Sequence, residues 1–207
     1  KKGEKMLKAI KDAAKNFIDI TQDKKIKIVS HYDCDGITSA AIITRTLQRL
    51  DRKFSLSFIK QLDKEFIENL PKKEVILFLD LGVSGLEHFE KINNSIFILD
   101  HHETSDKVPE NVCLINPHLF NEDNISAAAL SYLFSKEINA ENKDLAKIAV
   151  VGMVGDMHDQ NLNRRYTEIL KDANSMIKKG LLLYPSTRPI NKALEFSSGM
   201  FIPGVTG

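Results

Sequence analysis

Ile96-Phe97-Ile98-Leu99-Asp100-His101-His102 is an unbroken apolar run that stops on an acid and two imidazoles. The pattern recurs upstream. Ile26-Lys27-Ile28-Val29 leads to Asp33 and Asp35, and Val75-Ile76-Leu77-Phe78-Leu79 ends on Asp80. Short apolar runs bounded by polar residues suit strands covered on both faces, as in the parallel sheet of an α/β protein. Open α/β sheets keep their sites at the carboxyl ends of such strands. Three strand ends that deliver Asp and His predict a metal site assembled from separate segments.

Around these strands the periodicity changes to that of helices. Met6, Leu7, Ile10, Ala14, Phe17 and Ile18 are spaced as one face of an amphipathic helix over 4–20. The first strand reads as 24–30, and Gly36-Ile37-Thr38-Ser39 opens a helix to about Leu50 with Ile37, Ala40, Ala41 and Leu47 inward. Phe54–Ile59 alternates like a strand, 63–69 is short and helical, and Pro71 stops it. Strands at 74–80 and 95–100 flank a helix over 85–92, and Cys113-Leu114-Ile115 forms one more strand. Ser126–Glu137 is an Ala-rich helix, and 144–155 is helical by composition, although Ile148–Val151 alone also suits a strand. Helices at roughly 165–180 and 190–196 precede a turn-rich tail. This alternation predicts a doubly wound α/β fold, a mainly parallel sheet with helices on both faces and a helical C-terminal extension.

His31, Asp33 and Asp35 lie at i, i+2 and i+4, so in an extended stretch they project to one side as metal ligands. Gly36 then permits a tight entry into a helix whose N–H groups favour an anion. Alone, Asp33 equally suits an N-cap and Asp35 a turn. Asp80 between leucines needs a partner if buried; a metal, a lysine or a helix cap would serve. In Asp100-His101-His102 an imidazole suits a divalent first-row metal and its neighbour suits substrate contact or proton transfer, against the alternative of a solvated loop. Asp156 follows the apolar run Ile148–Val154 and completes the cluster, whereas His158 and Asp159 read as supporting or solvated groups. Carboxylates with imidazoles suit Mn²⁺ or Mg²⁺, and the ligand count is adequate for two ions that activate water and clamp a phosphate. Cys34 and Cys113 read as core residues.

The 207 residues carry a net charge of +1, which excludes a chain that binds nucleic acid through bulk charge alone. Hydrophobic residues at 43% and charged residues at 28% describe a globular protein rather than a disordered one. No apolar stretch approaches the ~18 residues of a membrane span, so no membrane partner is expected. Two cysteines form no disulfide framework, which makes a reducing cytoplasm the expected location. Arg164-Arg165, with Lys178-Lys179, Arg188 and Lys192, gives the last third a cationic tilt, and Tyr166 and Tyr184 suit stacking on bases. Arg164 and Arg165 are the candidate nucleic-acid contacts, although such charges also suit a solvated helix face.

Taken in order, His31-Tyr32-Asp33-Cys34-Asp35-Gly36-Ile37-Thr38-Ser39-Ala40, Leu79-Asp80-Leu81-Gly82, Asp100-His101-His102 and Gly155-Asp156 resemble the four motifs of the DHH phosphoesterase superfamily, and within it the RecJ-like single-strand exonucleases. Asn116-Pro117-His118 and the Ala-rich helix are similar to the segment between its third and fourth motifs. The resemblance implies that Asp33, Asp35, Asp80, Asp156 and His101 bind two Mn²⁺ or Mg²⁺ ions, with Asp80 bridging. It further implies that His102 contacts the scissile phosphate and that Asp100 orients its neighbours. His31 stands where bacterial RecJ proteins usually carry Asp, and other branches of the superfamily have His near this point. Nothing after residue 160 resembles the family's substrate-gripping motif. Residues 1–160 therefore read as a DHH catalytic domain, and 161–207 as a helical extension or linker toward a second domain not present in this chain.

The leading functional expectation is a metal-dependent phosphodiesterase that degrades single-stranded DNA or RNA, from the 5′ end as RecJ-like enzymes do. A small-substrate phosphoesterase acting on an oligoribonucleotide, a cyclic dinucleotide or pyrophosphate is the alternative. So is a replication scaffold with little activity. Single-stranded nucleic acid, with replication proteins beside it, is the expected partner.

Overall fold

The computed structural model describes residues 4–104, 107–158, 162–176, 189–196 and 202–205. The chain divides into two compact units, Lys1–Ser175 and Met176–Gly207. The first is built on five parallel strands: β1 (Ile26–His31), β2 (Phe54–Ile59), β3 (Val75–Leu79), β4 (Ile96–Leu99) and β5 (Val112–Ile115), in the order β2-β1-β3-β4-β5. Every neighbouring pair is parallel. The chain leaves β1 for β2 on one side and returns to β3 on the other. The carboxyl ends of β1 and β3 therefore flank the point where strand order reverses, the place at which such sheets bind ligands.

Apolar runs without alternation are required here because both faces of β3 and β4 are covered. Val75, Leu77 and Leu79 of β3 join Phe97 and Leu99 of β4 in one core, which includes Met6, Ile10 and Phe17 of α1 (Glu4–Ile20). That core also takes in residues of α2 (Cys34–Arg49), α5 (Ala127–Ile138) and α6 (Ala146–Gly155). Ile76, Phe78, Ile96 and Ile98 point the other way, into a second core with Ile67 of α3 (Lys64–Glu68) and Leu86 and Phe89 of α4 (Leu86–Phe89). Helices thus lie on both faces. No helix among the described residues is long and apolar enough to cross a membrane.

Several elements depart from expectation. Helix α2 starts at Cys34, not Gly36, because the Asp33 carboxylate caps it by accepting from Gly36 N at 2.9 Å. Its inward first turn carries Asp35 and Thr38, which leaves Ile37 48% exposed and Ala41 also outward, while Ile42 and Ile43 fill the core. Cys34 is exposed rather than buried, and Cys113 is half-buried against the first core. The helix expected over 85–92 is a 3₁₀ turn at Val83–Gly85 followed by α4. Residues 148–151 lie within helix α6, not in a strand. The expected helix at 165–180 is α7 (Arg164–Asp172) within the first unit, and residues 177–180 lie outside the described residues. In the second unit α8 spans Ile190–Glu195.

Helix α6 comes so close to its neighbours that only glycine fits at two turns. A Cβ on Gly152 would meet Ala128 Cβ and Thr38 Oγ1 at 2.4 Å and Asp35 Oδ1 at 2.9 Å; on Gly155 it would meet Cys34 Sγ at 2.4 Å. Helix α7 is tied to α5 through Asp172, which accepts from Tyr132 Oη at 2.7 Å and pairs with Lys136 and with Lys143 at 3.1 Å. Burial opposes ionisation of Asp172, but these contacts outweigh it and hold its pKa down to about 2.

Two outcomes follow for stability. Gly152→Ala should lower unfolding stability in urea by about 1–2 kcal/mol, the overpacking loss exceeding the ~1 kcal/mol that alanine gains in a helix; unchanged stability would refute the close approach. Because the folded pKa of Asp172 is depressed, its contribution is complete above the ordinary carboxylate value and disappears as pH falls toward 2. The pH dependence of wild-type stability between 4 and 2 should therefore be shallower in Asp172→Asn, as read by thermal melts.

Candidate metal centre

Four segments deliver carboxylates and imidazoles to one place. Strand β1 ends in His31, whose Nδ1 lies 2.8 Å from Asp33 Oδ2 and 3.5 Å from Asp80 Oδ2. Asp80 follows β3 with its backbone at φ +59°, a left-handed conformation uncommon for a residue with a side chain and typical of strained functional positions. The strain is held because Asp80 N still donates to Leu99 O at 3.0 Å. The Asp80 side chain is 2% exposed and stands between two histidines, with Oδ1 3.3 Å from His101 Nε2. That oxygen is buried and has no hydrogen-bond partner of good geometry among the described residues. An orphaned carboxylate oxygen facing imidazoles and further acids fits a divalent cation.

His101 Nε2 is surrounded by carboxylates, with Asp156 Oδ2 at 3.5 Å and Asp35 Oδ2 at 3.7 Å besides Asp80. Asp35 does not line up with His31 and Asp33 along an extended strand as expected. It sits in the first turn of α2, 1% exposed, and faces His101 instead. Its oxygens accept from Ala127 N at 2.6 Å and Ala128 N at 2.9 Å, the free amides at the start of α5. The same helix start is anchored by Tyr166, whose hydroxyl accepts from Ser126 N at 2.6 Å. Asp156 is the C-cap of α6, so the fourth segment is a helix end rather than a strand end.

Asp100 plays a different part. Its Oδ1 accepts from His101 N at 2.7 Å and His102 N at 3.1 Å and faces His102 Nδ1 at 2.7 Å, while Oδ2 accepts from Val83 N at 3.1 Å. Both oxygens are engaged in shaping the turn, and His102 is left exposed at the mouth with its Nδ1 fixed. Two residues whose part was not legible complete the clamp: Asn116 Nδ2 donates to His102 O at 2.9 Å and His118 Nε2 to His101 O at 3.1 Å. The only signal for them was an Asn-Pro-His sequence directly after a strand. His158 is half-buried, with Nε2 3.0 Å from Asp156 Oδ2, so it supports the centre. Asp159 lies outside the described residues.

The nucleic-acid candidates fare differently. Arg164 is exposed and pairs with Glu168 at 3.0 Å. Arg165 is buried between Glu122 at 3.6 Å and Glu168 at 3.2 Å, which removes its guanidinium from a passing phosphate backbone. Tyr166 is fully buried and cannot stack on bases. Lys192 pairs with Glu195 in α8, and Lys178, Lys179, Tyr184 and Arg188 lie outside the described residues.

Electrostatics agree with a cation site. Burial, then the charge of Asp80, pushes the Asp35 carboxyl up to about 7. Asp80 is also raised by burial and by Asp33. Burial would lower the pKa of His101, but contact with Asp80 and the charges of Asp35 and Asp156 raise it to about 9. Asp100 raises the pKa of His102, and His158 lowers that of Asp156. The upward shifts at Asp35 and His101 favour proton binding, which offsets part of the negative charge of the cluster. Among the described residues three triples bring their donor atoms within 4.8 Å of one another: His31-Asp33-Asp80, Asp80-His101-His102 and His101-Asp156-His158. Oxygen donors mixed with imidazole suit Mn²⁺ or Mg²⁺ and offer no thiolate to select softer metals.

A metal ion must displace these protons. Manganese affinity, measured by titration calorimetry, should therefore rise between pH 6 and 8, roughly tenfold per unit for each proton released. A flat profile would place the cation elsewhere.

Residues 25–153 match the family model described as "DHH family, N-terminal domain". Over 165 residues the chain is 35% identical to the uncharacterized protein MJ0831 of Methanocaldococcus jannaschii, an alignment covering 74% of this chain and 37% of that protein. Over 175 residues it is 26% identical to the single-stranded-DNA-specific exonuclease RecJ of Bacillus subtilis, covering 75% of this chain and 22% of that one. The chain thus spans little more than a third, or less, of these relatives. A crystal structure of exonuclease RecJ bound to manganese superposes with a TM-score of 0.68 at 19% identity, covering 80% of this chain and 47% of that one. The family match spans more than half of the sequence and carries three of the four acid- and histidine-bearing segments, those of His31–Asp35, Asp80 and Asp100–His102, and the chain belongs to the DHH family.

Proposed function

We propose that this protein is a divalent-metal-dependent phosphodiesterase that degrades single-stranded nucleic acid, releasing nucleotides from the 5′ end. The observation that carries the proposal is the position of Asp80, shared between the His31-Asp33-Asp80 and Asp80-His101-His102 triples. A carboxylate common to two donor sets is what a two-cation phosphoesterase requires. His31 and Asp33 would hold one cation, His101, Asp35 and Asp156 the other, and Asp80 both. When bound, the cations supply an acidified water and neutralise charge on the phosphate. The exonuclease name of the Bacillus subtilis RecJ relative supports a nucleic-acid substrate.

The chain's own groups supply orientation and proton control. Asp100 holds the Nδ1 side of His102, so the exposed ring presents Nε2 outward, where it can donate to a phosphate oxygen. Contact with Asp100 raises the pKa of His102, which favours the protonated donor. The amides of Ala127 and Ala128 fix Asp35, and Asn116 and His118 fix the histidine backbone, so neither set must reorganise on binding substrate. Arg164, exposed and paired with Glu168, is the remaining candidate contact for the nucleic-acid backbone. Every position expected to hold a ligand carries an acid or an imidazole, which argues for an enzyme rather than a scaffold.

Single strands of DNA and RNA labelled at either end, incubated with Mn²⁺, Mg²⁺ or chelator, test the reading. Mononucleotides should appear from the 5′ end and only with metal. Asp80→Asn and His101→Asn should each lower the rate by about 100-fold or more, and Asp100→Asn by about 10–100-fold through loss of His102 orientation. Hydrolysis confined to pyrophosphate or dinucleotides would transfer the activity to a small substrate, and metal-independent cleavage would overturn the proposal.

A further inference from the structure

His158 stands outside the four motifs that mark this centre, yet the chain is bent to bring it there. Asp156 caps the end of α6, and Met157 follows at φ +57°, a left-handed conformation that costs free energy for a residue with a side chain. Beyond that bend His158 Nε2 lies 3.0 Å from Asp156 Oδ2, with its side chain 19% exposed. The ring is 5.8 Å from that of His101 and 5.5 Å from that of Tyr166, which is fully buried and bound through its hydroxyl to Ser126 N. A cavity of about 350 Å³ beside the centre is lined by His31, Asp80 and His102, with an apolar floor of Leu62, Leu81 and Val83. Neither Asp156 nor His158 lines it, so His158 stands with the donors rather than on that wall.

Which oxygen His158 approaches decides its part. A group that only steadies a ligating carboxylate holds the outer oxygen and leaves the inner one to the cation. His158 instead meets Oδ2, the oxygen that also faces His101 Nε2 at 3.5 Å. Two imidazole nitrogens thus converge on one carboxylate oxygen. The donor sets of the centre then differ in kind: His31, Asp33 and Asp80 offer one imidazole and two carboxylates, whereas His101, Asp156 and His158 offer two imidazoles and one carboxylate. Magnesium takes oxygen donors and gives up its water reluctantly, while imidazole suits first-row transition ions. Resting on the phosphodiesterase reading with its two cations, we infer that His158 is a ligand of the cation held by His101 and Asp156. It makes that position selective for Mn²⁺ or a similar transition ion, while the position at His31 and Asp33 accepts Mg²⁺ as readily. Where Mg²⁺ is abundant the centre therefore carries one ion of each kind.

Electron paramagnetic resonance of Mn²⁺ bound to the full chain tests the assignment without any substrate. Two ions should bind in Mn²⁺ alone, and a roughly hundredfold excess of Mg²⁺ should displace one and leave the other. Nitrogen couplings from two imidazoles should mark the ion that stays. His158→Gln offers an oxygen in place of the imidazole and keeps a hydrogen-bond donor for Asp156. In this variant the same excess should displace both ions, and one nitrogen coupling should vanish. His158→Ala should bind the retained ion about tenfold more weakly, with metal-free thermal melts of both variants reading the fold separately. Displacement of both ions alike from the wild type needs no variant and overturns the inference, as do retention and nitrogen couplings unchanged in His158→Gln; either result leaves the phosphodiesterase reading intact. Failure of the wild type to bind any manganese would overturn the inference together with the two-cation centre on which it rests.

Discussion

Asp35, Asp80 and Asp156 converge on the imidazole of His101, at 3.7, 3.3 and 3.5 Å, with Asp33 close by on His31. Like charges brought this close in a poorly solvated place repel one another, and each also loses hydration. The fold must therefore supply either compensating partners or a cation. Much of the architecture around the site answers that constraint. The amino end of α5 offers its free amides to Asp35, the Asp33 carboxylate caps α2, and backbone amides absorb Asp100. Asp80 keeps a buried oxygen without a well-aligned donor among the described residues, which makes it a point where a cation contributes strongly.

A parallel sheet suits this task because its strands all end on the same side. Side chains at the ends of β1, β3 and β4 arrive together without any long excursion of the chain, and reversal of strand order between β1 and β3 leaves a crevice there. Helices on both faces keep the strands dry, so the strands must be apolar until their last residue. The abrupt change from Leu79 to Asp80 and from Leu99 to Asp100 is a consequence of that packing. The left-handed backbone at Asp80 is a local strain that this rigid frame sustains.

The same packing explains what could be read directly. The buried strands and α1 follow from hydrophobic pattern alone, and the identity of the acids and histidines follows from their place at strand ends. What escaped depends on contacts between distant segments. Whether Asp35 faces His31 or His101 is decided by the residue at which α2 begins, and that is set by a cap one residue earlier. Ile37 reads as core, yet the inward face of that turn is occupied by Asp35 and Thr38. Arg165 reads as a basic surface residue, but Glu122 and Glu168 enclose it. Asn116 and His118 act only on backbone carbonyls of the histidines, a role that leaves no trace in composition or period.

The centre and the cavity beside it share residues, and this sharing has a mechanical meaning. His102 belongs at once to a donor triple and to the cavity wall, and its orientation is set by Asp100 and by the Asn116 contact to its carbonyl. Asp100 is bound in turn to Val83 N, at the head of the 3₁₀ turn that forms part of the cavity floor. A displacement of that turn would therefore be felt at His102 through one carboxylate. Gly82, at φ +128°, lets the chain make this turn with its Cα against Ile98, where a Cβ would lie 2.9 Å from Ile98 Cγ2. The turn at Val83–Gly85 and the imidazole of His102 are thus joined through the single carboxylate of Asp100 at the end of β4. The metal centre and the cavity wall are held by the same few hydrogen bonds.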